Sequence, residues 1–145
     1  MNGYRKILLV VDLSADSSLI GERAKAIANC YQASITLLHV VEYVPVEPMG
    51  EALLPAMQVE SELVDRARVK LTELALQLSL HDSPQLVETG SIKSEIVRAA
   101  QRLGVDLIVL GSRERHGLAI LLNFTEDTVL HAAPCDVLAV RLPQR

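Results

Sequence analysis

Apolar residues fall along the chain in short unbroken bursts, of which Ile7-Leu8-Leu9-Val10-Val11 and Leu107-Ile108-Val109-Leu110 are the clearest. Continuous rather than alternating apolar runs mark strands buried on both faces, as crossover helices bury a parallel sheet. The pattern predicts strands over Lys6 to Asp12, Ser34 to Val41, Gln85 to Glu88, Asp106 to Gly111 and Asp136 to Arg141. Helical spacing fills the intervals. Ile20, Ala24, Ile27, Ala28 and Tyr31 recur on one face after the first strand, with Ser14, Asp16 and Ser17 as capping side chains before them.

The longest helix is expected from about Pro55 to Leu80, with Leu63, Val64, Ala67, Leu71, Leu74 and Leu78 as its apolar stripe and Glu62, Arg66, Lys70 and Glu73 facing water. Ile92, Ile96, Ala100 and Leu103 form a third amphipathic face, which Gly104 closes as a C-cap glycine. Strands alternating with helices give an α/β fold: a five-stranded parallel sheet with helices on both faces, within a single domain over residues 1–145. Right-handed crossovers favour the order 3-2-1-4-5. The order reverses between strands one and four, so a ligand would sit near Asp12 and Gly111.

The fourth burst runs into Gly111-Ser112-Arg113-Glu114-Arg115-His116-Gly117 and then a short helix. A glycine-bearing turn between a buried strand and a helix is where such a protein holds phosphate, because the first unpaired helix N–H groups point there. Upstream, Glu42 to Leu54 is a long connection containing Pro45, Pro48 and Gly50. It reads either as a lid over the crevice or as a surface loop with no ligand role.

Composition narrows the partners. A net charge of -4 opposes a sequence-independent grip on nucleic acid, and three Tyr and one Phe are too few for a base-stacking platform. No burst approaches the roughly 18 residues of a membrane span. The stretch from Met1 to Lys6 leads into the first strand without a signal-peptide pattern, so a cytoplasmic location is expected. Cys30 and Cys135 have no metal or redox spacing and are expected as buried small apolar side chains.

The residues do not assemble a catalytic signature. Ser14, Ser17 and Ser18 follow strand one without a nucleophile elbow, and His39 within an apolar strand reads as a hydrogen-bonded packing residue. Ser14-Ala15-Asp16-Ser17 is similar to a pyrophosphate loop but lacks its glycines. A phosphoryl-receiver site would need clustered carboxylates for a cation, and Asp12 is accompanied only by Glu88 among strand-end carboxylates. His116 and His131 lie too far apart for a recognised metal spacing, so no metal is expected.

Tyr4-Arg5-Lys6-Ile7-Leu8-Leu9-Val10-Val11-Asp12-Leu13-Ser14, then Ile35-Thr36-Leu37-Leu38-His39-Val40-Val41, then Ala133-Pro134-Cys135-Asp136-Val137-Leu138-Ala139-Val140-Arg141 together resemble the universal stress protein family over essentially the full chain. The resemblance implies a five-stranded domain of the adenine nucleotide alpha hydrolase-like class, a homodimer, and a role in the stress response. Some members bind ATP and others do not. In the binders, the loop after strand four carries Gly-x-x-Gly, nine residues, then Gly and Ser or Thr. Here Gly111 and Ser112 match, but Glu114 stands at the second glycine and Asn123-Phe124 at the final pair, with one residue fewer between.

These departures resemble the A-type members that lack the ATP loop. Asn123 with Glu126 also reads as a capping box, which would satisfy the helix N–H groups that a phosphate needs. Each added carboxylate opposes a triphosphate by roughly 1 kcal/mol under water-like screening, while Arg113, Arg115 and His116 offset it. The resemblance makes Asp12, Val40, Val41, Gly111, Arg113, Arg115, Gly117 and Asn123 the candidate nucleotide contacts. The expectation is a non-enzymatic homodimer without a cofactor, acting through protein contacts. The alternative is a switch binding ATP with Mg, or AMP, with slow hydrolysis at most. Strand five is apolar at a sheet edge, and in the family it pairs with its twin, so Val137, Leu138, Ala139 and Val140 are the expected interface.

Overall fold

A computed structural model describes residues 3–42, 53–112, 129 and 131–143. The elements are β1 (Lys6–Val10), α1 (Ser17–Tyr31), β2 (Ser34–Glu42), α2 (Leu53–Gln77), β3 (Gln85–Gly90), α3 (Ile92–Leu103), β4 (Leu107–Ser112) and β5 (Asp136–Arg141). The strands form one sheet in the order β3-β2-β1-β4-β5, and each neighbouring pair is parallel. This is the expected architecture. Successive connections step outward from β1 through β2 to β3, then the chain crosses back through α3 to place β4 on the other side of β1.

Strand alternation divides the core into two layers. Ile7, Leu9 and Val11 pack with Ile20 and Ala24 of α1 and with Leu71, Leu74 and Ala75 of α2. Leu8 and Val10 point the opposite way, onto Ile96, Ala99 and Ala100 of α3. Leu8, Leu9, Leu37, Leu38, Ile108 and Val109 are fully buried. Removing each such side chain from water stabilises the fold by about 2 kcal/mol, which explains why the central bursts are continuous.

The helix ends show where local chemistry departs from expectation. Gly104 does close α3, with φ 63° and its N–H on the carbonyls of Ala100 and Gln101. α1 instead ends on Gln32 at φ 57°, and the turn after α2 uses Ser79 at φ 58°. At the start of α1, Asp16 is the N-cap by position but makes no side-chain cap bond. Ser14 Oγ accepts the Asp16 N–H at 3.3 Å, while Asp12 Oδ1 accepts from Ser14 N and Ser17 Oγ at 2.9 and 3.1 Å.

Several boundaries and burials differ from the sequence reading. β3 continues through Thr89 and Gly90 because both still pair with β2, although this edge strand is only half-buried throughout. β1 stops at Val10 because the chain then turns, reaching φ 62° at Leu13. The buried stripe of α2 is Ala67, Leu71, Leu74 and Ala75, continued by Leu78, whereas Leu63 is exposed and Val64 half-buried. Among the described side chains of α2, the buried ones begin at Ala67. Cys30 is exposed, on the outer side of α1, and Cys135 is half-buried beside the α3 layer, so neither is the buried core thiol expected.

Candidate functional site

The C-terminal ends of β1 and β4 lie side by side in the middle of the sheet, at the point where the strand order reverses. α1 leaves β1 toward one face. The described walls of the resulting crevice are the β1–α1 turn, the end of β2 and the end of β4.

The β1–α1 turn is held by its own polar groups. Asp12 is exposed and clamps Ser14 and Ser17 through one carboxylate oxygen. Ser17 is 1% exposed, so its hydroxyl is committed to Asp12. This ties the first residue of α1 to the strand end and presets the turn with Leu13 in the left-handed region, a conformation costing a leucine roughly 1 kcal/mol. Asp12 therefore has a structural role in this turn, and it also borders the crevice.

The β1–β2 side carries a less expected feature. The ladder is in register through Val10 and Leu38, and Val11 N–H donates to Leu38 O at 3.0 Å. The next acceptor on that edge, Val11 O, lies 2.8 Å from Nδ1 of His39. A carbonyl only accepts, so His39 Nδ1 carries a proton and donates it. The imidazole thus finishes the ladder where the two backbones part. Sequence reasoning anticipated a hydrogen-bonded packing histidine, but the partner depends on register and leaves no local signal.

Val40 and Val41 are buried, and they pair with Glu88 and Thr89 of β3. Their side chains belong to the protein interior. Gly111 has a packing explanation of its own. A Cβ there would come within 2.7 Å of Ile20 Cδ1 and 2.8 Å of Leu142 Cδ1, so the missing side chain is what lets α1 and the chain after β5 close on β4. That face of Gly111 is filled by protein. Ser112 continues the strand opposite Arg141, and its carbonyl accepts Leu142 N–H at 2.8 Å. Arg113, Arg115, Gly117 and Asn123, together with Glu114, His116, Phe124 and Glu126, lie outside the described residues, as does most of the Glu42 to Leu54 connection. Among the described residues no group of three or more His, Cys, Asp or Glu side chains could hold a metal ion.

β5 borders the sheet and pairs only with β4 among the described strands. Val137 and Leu138 are half-buried and Ala139 is exposed, whereas Val140 is 4% exposed and packs inward with Leu9 and Val109. An interface on this strand would use the Val140 backbone rather than its side chain. At the N-terminal end of β5, Tyr4 Oη donates to Asp136 Oδ2 at 2.8 Å, and this bond to a carboxylate raises the Tyr4 pKa above the ordinary tyrosine value. Burial pushes the neighbouring Cys135 thiol up as well, which favours its protonated form.

Comparison with known proteins gives a consistent result. The universal stress protein family model matches residues 3–141. Universal stress protein A homolog 2 of Coxiella burnetii is 38% identical over 144 residues, covering 98% of each chain. Among solved structures, universal stress protein UspA from Lactobacillus plantarum superposes with a TM-score of 0.74 at 26% identity, over 97% of this chain and all of that one. A universal stress protein in complex with cAMP gives a TM-score of 0.60 at 17% identity, over 96% of this chain and 98% of the other. No described helix is long and apolar enough to cross a membrane.

Proposed function

The chain belongs to the universal stress protein family, and from that premise we propose that it is a cytoplasmic, non-enzymatic stress-response protein that works as a homodimer through protein contacts and lacks a strong grip on nucleotide phosphates. The observation that carries this reading is the β5 edge. An apolar strand that pairs with β4 alone among the described strands is a surface that soluble proteins cover, and a second copy of the same strand covers it with two-fold symmetry. Val137, Leu138 and Ala139 supply the contacting side chains, and residues 136–141 supply the backbone edge.

The phosphate half of the reading rests on two supports. Gly111 is consumed by packing against Ile20 and Leu142, and the sequence replaces the other loop glycines with Glu114 and Asn123. Bulk and negative charge at those positions oppose close approach of a triphosphate. Light scattering coupled to gel filtration tests the assembly. At micromolar protein the expected mass is twice the 15.8 kDa of one chain, and a single-chain mass defeats the homodimer.

A second reading, an ATP- or AMP-dependent switch using Mg²⁺, keeps one specific support: the crevice lies at the switch point where open parallel sheets take ligands, and a structural relative has been solved with cAMP. In that reading Asp12 and the ends of β2 would hold the nucleoside, and the metal would screen phosphate charge. Copurified adenylate, visible by absorbance and mass, would favour it.

A further inference from the structure

Val69 and Leu76 are the two most exposed large apolar side chains among the described residues, at 59% and 61%. They stand seven positions apart in α2, so they line up along one side of the helix, two turns from each other. The core residues Leu71, Leu74, Ala75 and Leu78 occupy the opposite side. Neither exposed side chain helps to bury the core, and a β-branched valine at an exposed helical position also lowers helix propensity. The charges around the pair are one-sided. At 3.6 residues per turn, Glu62, Asp65 and Glu73 fall within about 40° of the line through Val69, whereas Arg66, Arg68 and Lys70 fall about 60° or more away. All three acidic residues are exposed, and among the described residues none of them forms an ion pair. At the rim, Thr72 Oγ1 donates to Gln85 Oε1 of β3 at 3.1 Å, which fixes this side of α2 beside the sheet edge. α2 packs on β2 and β3, at the edge farthest from β5.

We infer that this outer face of α2 is a docking surface for a basic amphipathic helix of a partner protein. Apolar side chains of that helix cover Val69 and Leu76, and its Lys and Arg residues meet Glu62, Asp65 and Glu73. Charge selects the occupant. A second copy of the same face would set carboxylates against carboxylates, and a nucleic acid or an anionic lipid surface would be repelled in the same way. The inference rests on the reading that the protein acts through protein contacts, and it names the class of partner. A dimer paired through β5 leaves both copies of the face open, one at each end of the joined sheet.

Two synthetic helical peptides serve as probes, one with leucines along one face and lysines on its flanks, the other with every lysine replaced by glutamate. Titrated into ¹⁵N-labelled protein, the lysine peptide should shift the backbone amides of residues 62–76 saturably and leave those of β5 in place. Its affinity should fall as salt rises, and the glutamate peptide should not bind. Val69→Ala combined with Leu76→Ala should weaken the lysine peptide roughly 10-fold. Both positions are exposed, so circular dichroism should show the fold retained. Glu62→Gln, Asp65→Asn and Glu73→Gln together should remove most of the salt dependence. Absent binding, shifts centred elsewhere, equal binding of the two peptides, or unchanged affinity in the Val69 and Leu76 variant overturns the inference. Gel filtration of the same samples keeps the two claims apart. A dimer that fails to bind sinks the docking face alone, whereas a single-chain species that binds sinks the homodimer and leaves the docking face standing.

Discussion

The two ends of the sheet are built on opposite terms. At the N-terminal end of the strands, side chains stitch neighbours together: the Asp106 carboxylate accepts from Arg5 N at 3.1 and 3.0 Å and from Lys6 N at 3.1 Å, and Tyr4 reaches across to Asp136. Ser34 N–H donates to Arg5 O and Asp106 N–H to Lys6 O, so β4, β1 and β2 start as one tied unit. At the C-terminal end the strands part. β1 and β2 lose register after Val10, a side chain takes the place of the next ladder bond, and Leu13 sits at φ 62°. One end spends its polar groups on closure. The other keeps a fork, a preset turn and a half-buried imidazole at the switch point where open parallel sheets take ligands.

Substitutions at the closed end should cost stability, and those at the open end should cost less stability and more recognition. Asp106→Ala removes the acceptor for two backbone N–H groups and should lower unfolding free energy by about 2 to 3 kcal/mol in denaturant titration. An effect no larger than that of an ordinary surface change would erase the distinction between the ends. Gly111→Val forces bulk against Ile20 and Leu142 and should cost about 2 kcal/mol, read as a lowered Tm. Unchanged stability would mean that Gly111 is not held by packing.

His39→Leu deletes the donor to Val11 O and should cost about 1 kcal/mol, with His39→Asn recovering most of it. Equal losses in both variants would remove the Val11 bond from the account. The smallest effect belongs to Tyr4→Phe, about 0.5 kcal/mol at neutral pH. Because the folded Tyr4 pKa is raised, its contribution is present below the ordinary tyrosine pKa and is lost as pH rises through the folded value. Phenolate absorbance should show one tyrosine titrating late, and that late step should vanish in the variant.

The layered fold was legible because its signals are local. Continuous apolar bursts specify double-sided strands, and the handedness of crossovers then leaves few orders. What escaped depends on distant partners. Leu63 continues the apolar spacing of α2, yet it lies N-terminal to Ala67, where the buried stripe begins, and is exposed. Cys30 has the usual chemistry of a core residue but falls on the outer side of α1. The cap of α1 was expected from Ser14, Asp16 and Ser17, whereas Asp16 makes no side-chain cap bond and Asp12 instead accepts from Ser14 N–H and Ser17 Oγ. Asp12 and Gly111 were named from strand ends alone, and both do lie at the C-terminal ends of β1 and β4. The packing reason for Gly111 and the tautomer of His39 required knowing which atoms the β1–β2 and β4–β5 registers bring together.

The proposal that the protein lacks a strong grip on nucleotide phosphates is tested most directly by one comparison, the affinity of purified protein for adenosine against its affinity for ATP with Mg²⁺ in the same buffer. The account predicts weak binding of both, with ATP no tighter than adenosine. Saturable micromolar binding of ATP with adenosine far weaker would contradict it.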